Sequence, residues 1–130
     1  MNPATRLRYL RVALVLVGLI FIVGVYPLMM AWWPAGWRWQ PNQPHYEQMI
    51  LGVYATLGVF LLIASRNPLK HRSLIWFTVW SSIVHAGIMA VQAMNTPAEH
   101  GHLMGDIPAL LIVAAALAIL TPRGAVAEAT

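Results

Sequence analysis

His85 is the one ionisable side chain in an otherwise apolar stretch, residues 73–95 (SLIWFTVWSSIVHAGIMAVQAMN), that is long enough to cross a bilayer. A neutral imidazole offers one hydrogen-bond donor and one acceptor, and at that depth in lipid an ionisable group is costly and tends to be functional. At helical spacing Thr78, Ser81, His85, Gln92 and Asn95 fall close to one face. Lipid gives polar side chains no partners, so this face is expected to turn toward protein or a water-filled cavity.

Other polar residues can be placed near His85 by depth. Glu47 and Tyr54 are seven apart, so they share a face, with Tyr54 ~10 Å deeper at 1.5 Å per residue. Tyr26 lies in the far third of the first apolar run, and Asp106 stands at the start of the last. The expectation is one pocket: His85 at the floor, Tyr54, Gln92 and Tyr26 on the walls, Glu47 and Asp106 at the mouth. The competing reading is structural. Glu47, Gln48 and Asp106 then cap helices, and His85 is a neutral histidine satisfied by Tyr54 or a backbone carbonyl.

A second constellation is Glu99-His100-Gly101-His102 with Asp106 four residues further on. Imidazole and carboxylate ligands suit zinc, iron or copper. The pattern is weak, because His-x-His in a loop is common and no His-x-x-x-His helical pair is present. There is no phosphate-binding loop, nucleophile elbow or dinucleotide fingerprint, and the sequence leaves any cofactor unknown.

These side chains need elements to hold them, and the composition says which. The 130 residues are 59% hydrophobic and only 9% charged, against about 45–50% and about 25% in soluble domains. There is no cysteine, which excludes disulfides and thiol chemistry. Four apolar runs read as helices over about residues 10–31, 46–65, 73–95 and 103–121, giving an all-α, four-transmembrane-helix bundle as a single membrane domain. The first run is too long for the core of a signal peptide and lacks a cleavage site. Pro27 is expected to kink it or to stop it. Pro34 to His45 (PAGWRWQPNQPH) reads as a loop, with Trp32, Trp33, Trp37 and Trp39 as an aromatic belt at the membrane boundary or as a partner surface. The fourth run is the weakest, its charge-free part being shorter than the ~20 residues a bilayer core requires. Asp106 is expected as its N-cap and Pro108 in its first turn. A short polar tail follows Pro122.

The pI near 10.1 does not point to nucleic acid. Arg6, Arg8, Arg11, Arg66, Lys70, Arg72 and Arg123 fall on one side of a four-span bundle and only Arg38 on the other. The positive-inside rule therefore expects both termini in the cytoplasm, in a plasma (inner) membrane. Gly52 with Thr56, Ala86 with Ala90 and Ala114 with Ala118 are small pairs suited to close helix crossings, within the chain or between chains. Gly58 and Gly87 likewise read as packing positions.

The segments YPLMM (26–30), YEQMILGVYATLGVFLL (46–62), SRNP (65–68), SLIWFTVWSSIVHAGIMAVQA (73–93) and HLMGDIPALL (102–111) resemble a family of small bacterial four-helix membrane proteins known as a domain of unknown function. The resemblance spans about residues 8–123. It implies a fold and a membrane address and carries no activity. The four-span length is similar to the small multidrug exporters, but the first span here lacks their carboxylate. Three functions are expected from the residues. The first is binding of a quinone or lipid around His85. The second is an accessory subunit packed against a membrane-protein partner or a second copy. The third is an enzyme or proton-coupled carrier pairing His85 with Glu47 or Asp106.

Overall fold

The computed structural model describes residues 1–123. Among these it is helical throughout its ordered elements, with α1 at Pro3–Trp32, α2 at Pro34–Trp37, α3 at Pro44–Arg66, α4 at Arg72–Asn95 and α5 at Asp106–Leu120. Short 3-10 turns, Pro68–His71 and Pro97–Leu103, lead into α4 and α5. Counting those turns, four helices are long and apolar enough to cross a membrane. The tail expected after Pro122 lies, from residue 124 onward, outside the described residues.

α1 begins seven residues before the expected start. Asn2 caps it by accepting the Ala4 N–H at 2.9 Å, and Pro3 sits where no N–H is needed. Pro27 does not stop the helix. Its ring crowds the carbonyl four residues back and it has no N–H to donate. The chain answers by widening to π turns on both sides, Ile20–Gly24 and Leu28–Trp32, and then continues to Trp32.

α1 packs chiefly on α3, and α4 on α5, with α1 also touching α5. α3 and α4 are joined by a tight turn yet touch little. α1 and α3 meet backbone to backbone at Gly18 and Gly58. A Cβ on Gly18 would lie 2.8 Å from the Gly58 oxygen, and one on Gly58 would lie 2.6 Å from the Gly18 oxygen. Close packing of this kind holds helices together where lipid removes the hydrophobic advantage of burial. Gly52 and Gly87 have nothing within 4 Å, so neither makes the crossing expected of it. Thr56 turns back to bond the Gly52 carbonyl at 2.9 Å. Ala86 and Ala114 are buried, with Ala90 and Ala118 beside them half-buried.

The main core joins Leu10, Leu14 and Phe21 of α1 to Leu61 of α3, Ile75 and Val79 of α4 and Leu117 of α5. A smaller cluster, Ala86, Met89, Ala93, Ile107 and Leu110, fills the space between α4 and α5 toward the other end. Tyr54 packs against both.

Candidate functional site

On α4 the buried stripe is Ile75, Thr78, Val79, Ser82, Ala86, Met89 and Ala93. His85 and Ser81 sit at its edge, half-buried, and Gln92 and Asn95 are exposed. At 100° per residue the polar face is centred roughly a quarter turn from the buried face. His85 therefore does not point into the centre of the bundle. It stands at the seam with α3, two sequential membrane-length helices that touch little. It lies ~20 Å along α4 from Arg72 and ~15 Å from Asn95.

Across that seam the Tyr54 hydroxyl and His85 Nδ1 share a hydrogen bond, with ring centroids 5.7 Å apart. The Phe21 ring meets Tyr54 edge-on at 5.0 Å and fixes its position. The Tyr54 hydroxyl has no other hydrogen-bond partner among the described residues. When it donates to Nδ1, a neutral ring carries its own proton on Nε2. No group among the described residues accepts from Nε2, and it is not among the buried unpartnered atoms, so it reaches the seam surface.

The second polar group lies at the end of the bundle where α3 and α5 begin. His102 is fully buried (0% exposed), between Glu99 (3%) and Asp106 (7%). Its Nδ1 lies 2.9 Å from Asp106 Oδ1. Its Nε2 lies 3.0 Å from Glu99 Oε2 and 3.2 Å from the Arg38 carbonyl. The remaining carboxylate oxygens accept from the loop after α2: the Trp39 indole N–H reaches Asp106 Oδ2 at 3.2 Å, and the Gln40 backbone N–H reaches Glu99 Oε1 at 2.7 Å. Trp39 also stacks on the His102 ring at 4.1 Å. All three groups facing the imidazole nitrogens are acceptors, and a neutral ring has one N–H. Arg38 and Glu47 add an outer ion pair at 2.9 Å.

Two glycines make this closure possible. A Cβ at Gly101 would collide with the Ala35 oxygen and one at Gly105 with the Gly36 oxygen. The 3-10 turn before α5 lies directly on α2, and the loop folds over the end of the bundle as a lid.

The expected single pocket is therefore divided. Tyr54 and His85 meet at the seam. Glu47 belongs to Arg38, and Asp106 to His102 and Trp39. Asp106 does not cap α5: Gly105 holds that position and Asp106 is the first helical residue. Tyr26 is 59% exposed and Gln92 is exposed, so neither lines an enclosed cavity with His85. Trp32 and Trp33 are exposed, as a belt requires, whereas Trp39 is drawn inside to cover His102. Among the described residues no three His, Asp or Glu side chains could hold a metal ion. Glu99 and Asp106 lie against opposite nitrogens of His102 instead of converging on a point, and His100 is exposed. The lid role of Trp39 was not evident in the sequence. The signal available was the spacing of Glu99, His102 and Asp106 at i, i+3 and i+7, which puts three titratable groups on one helical face.

A sequence profile of a family of unknown function (DUF6632) matches residues 4–129 of the chain. No curated protein and no solved structure matches it.

Proposed function

The chain belongs to this family of unknown function, and we propose that it is an integral membrane protein that binds an amphipathic molecule at the α3–α4 seam through a carbonyl oxygen. Its basic end faces the cytoplasm across a plasma membrane. The ligand class is a quinone or an ester lipid. The observation that carries this reading is His85 Nε2, near mid-span and without a hydrogen-bond partner among the described residues, which is a donor when Tyr54 donates to Nδ1. In a bilayer core an unpartnered donor costs several kcal/mol, of order 2–7 in water-to-apolar transfer, so a carbonyl that reaches it gains that much interaction. Tyr54 is a positioning residue that pins the tautomer. Glu47 and Gln92 lie seven residues from Tyr54 and His85 on the same helix faces.

Binding is favoured over proton chemistry. No direct hydrogen-bond path joins His85 to Glu47 or Asp106 among the described residues, since both carboxylates are engaged elsewhere. The test uses the full chain in nanodiscs with a photoreactive isoprenoid benzoquinone and, separately, a photoreactive phosphatidylethanolamine. Labelling near residues 54 and 85 that drops about tenfold in His85→Ala supports the reading. Labelling unchanged by that substitution counts against it. A second reading, a subunit packed on a membrane partner, is favoured by Gly52 and Gly87, whose open surroundings leave room for another helix. Site-directed crosslinking from those positions to another protein would separate the two.

A further inference from the structure

The three acidic residues of the described chain, Glu47, Glu99 and Asp106, all lie at the lidded end, in the contacts given above. The opposite end carries seven basic residues and no described acid. Two of the seven, Arg11 at the inner end of α1's first turns and Arg66 at the close of α3, are exposed and make no ion pair or side-chain hydrogen bond among the described residues. Between them runs a groove of about 330 Å³ lined by Arg11, Val12, Val15, Leu16, Ser65 and Arg66. Ser65 donates its proton to the Leu62 carbonyl at 2.6 Å, so only the guanidiniums offer donors to an anion. Val12, Val15, Leu16 and Leu19 continue from the groove along one exposed face of α1, at helical spacing, away from the charged end.

We propose that this groove is a site for an anionic phospholipid, with its phosphodiester between the Arg11 and Arg66 guanidiniums and one acyl chain along Val12, Val15, Leu16 and Leu19. Planar guanidinium forks match phosphate oxygens in two-point contacts. The basic end supplies no carboxylate to compete for them. A free phosphate would satisfy the arginines and leave the apolar wall uncovered. A zwitterionic lipid would bring its own cation against two arginines. An anionic lipid satisfies both halves of the groove at the depth where its headgroup and chain already lie. The site is separate from the α3–α4 seam and does not depend on the ligand proposed there.

The experiment places the full chain in nanodiscs of equimolar phosphatidylcholine and phosphatidylglycerol, extracts it gently and counts retained lipids by native mass spectrometry. The wild type is expected to keep phosphatidylglycerol in preference to phosphatidylcholine. Arg11→Gln/Arg66→Gln should lower that retention roughly thirty-fold, the effect of two basic residues at an anionic surface. Arg8→Gln/Lys70→Gln removes the same charge from the same end and should change it little. Val15→Trp fills the groove without touching charge and should also lower retention. His85→Ala should leave it intact, so failure of the seam reading leaves this one standing. Equal losses from the two double variants would overturn the proposal by showing only diffuse attraction. So would displacement by inorganic phosphate, or no preference for phosphatidylglycerol.

Discussion

Replacing His102 by alanine should be the most damaging single change in the lid. The substitution removes both nitrogens that stand 2.9–3.0 Å from Asp106 and Glu99, and the ring on which Trp39 stacks. Two carboxylates that are 3% and 7% exposed then face each other across a cavity without the ring between them. Breaking a buried pair by deleting one partner costs about 3–5 kcal/mol, because the charge left behind is no longer compensated. The assay is reversible unfolding in mixed micelles, read by tryptophan fluorescence. The same variant tests whether both ring nitrogens are engaged. Added imidazole should recover a large part of the lost stability, as binding to the folded state alone requires, and N-methylimidazole, with one ring nitrogen blocked, much less. A loss under about 1 kcal/mol, or equal recovery with both compounds, would refute the argument that both His102 nitrogens hold the cluster together.

Gly105→Ala drives a methyl into the Gly36 carbonyl, so it should cost about 1–3 kcal/mol and make the loop between α2 and α3 cleave faster in limited proteolysis. Gly18→Ala should weaken the bundle by a similar amount at the α1–α3 crossing, whereas Gly52→Ala and Gly87→Ala, with open space around them, should stay within about 0.5 kcal/mol in the same unfolding assay. Trp39→Phe keeps the stack on His102 but removes the indole donor to Asp106. It should cost about 1 kcal/mol, less than Trp39→Ala, and equal losses would deny the stack any weight.

The four membrane-length helices were legible because runs of ~20 apolar residues have few other uses. Their ends were less so. α1 starts early because Asn2 and Pro3 cap it, and it outlasts Pro27 because π turns absorb the proline. The meeting of Tyr54 and His85 could be reasoned from depth alone, since α3 and α4 run in opposite directions. Which face of α4 is buried could not. In a membrane helix the lipid side is as apolar as the packed side, so polarity does not mark the inward direction. That is why Gln92 and Tyr26 were placed in a pocket and are exposed. The partners of Glu47 and Asp106 come from a loop, through Arg38 and Trp39. Composition marks that loop only as rich in proline and tryptophan. The close approach of Gly101 and Gly105 to α2, which lets the loop fold over His102, is a tertiary contact with no local signature.

The central claim is that His85 presents Nε2–H to the α3–α4 seam and that a ligand carbonyl takes it. Nitrogen-15 NMR of selectively labelled histidine in lipid-free detergent micelles, with His85 assigned by its alanine variant, reads this directly. The account predicts a bare Nδ1 accepting from Tyr54, a protonated Nε2, and an Nε2 shift when the isoprenoid benzoquinone or the ester lipid is added. A His85 resonance protonated at Nδ1, or one that neither ligand moves, would contradict it.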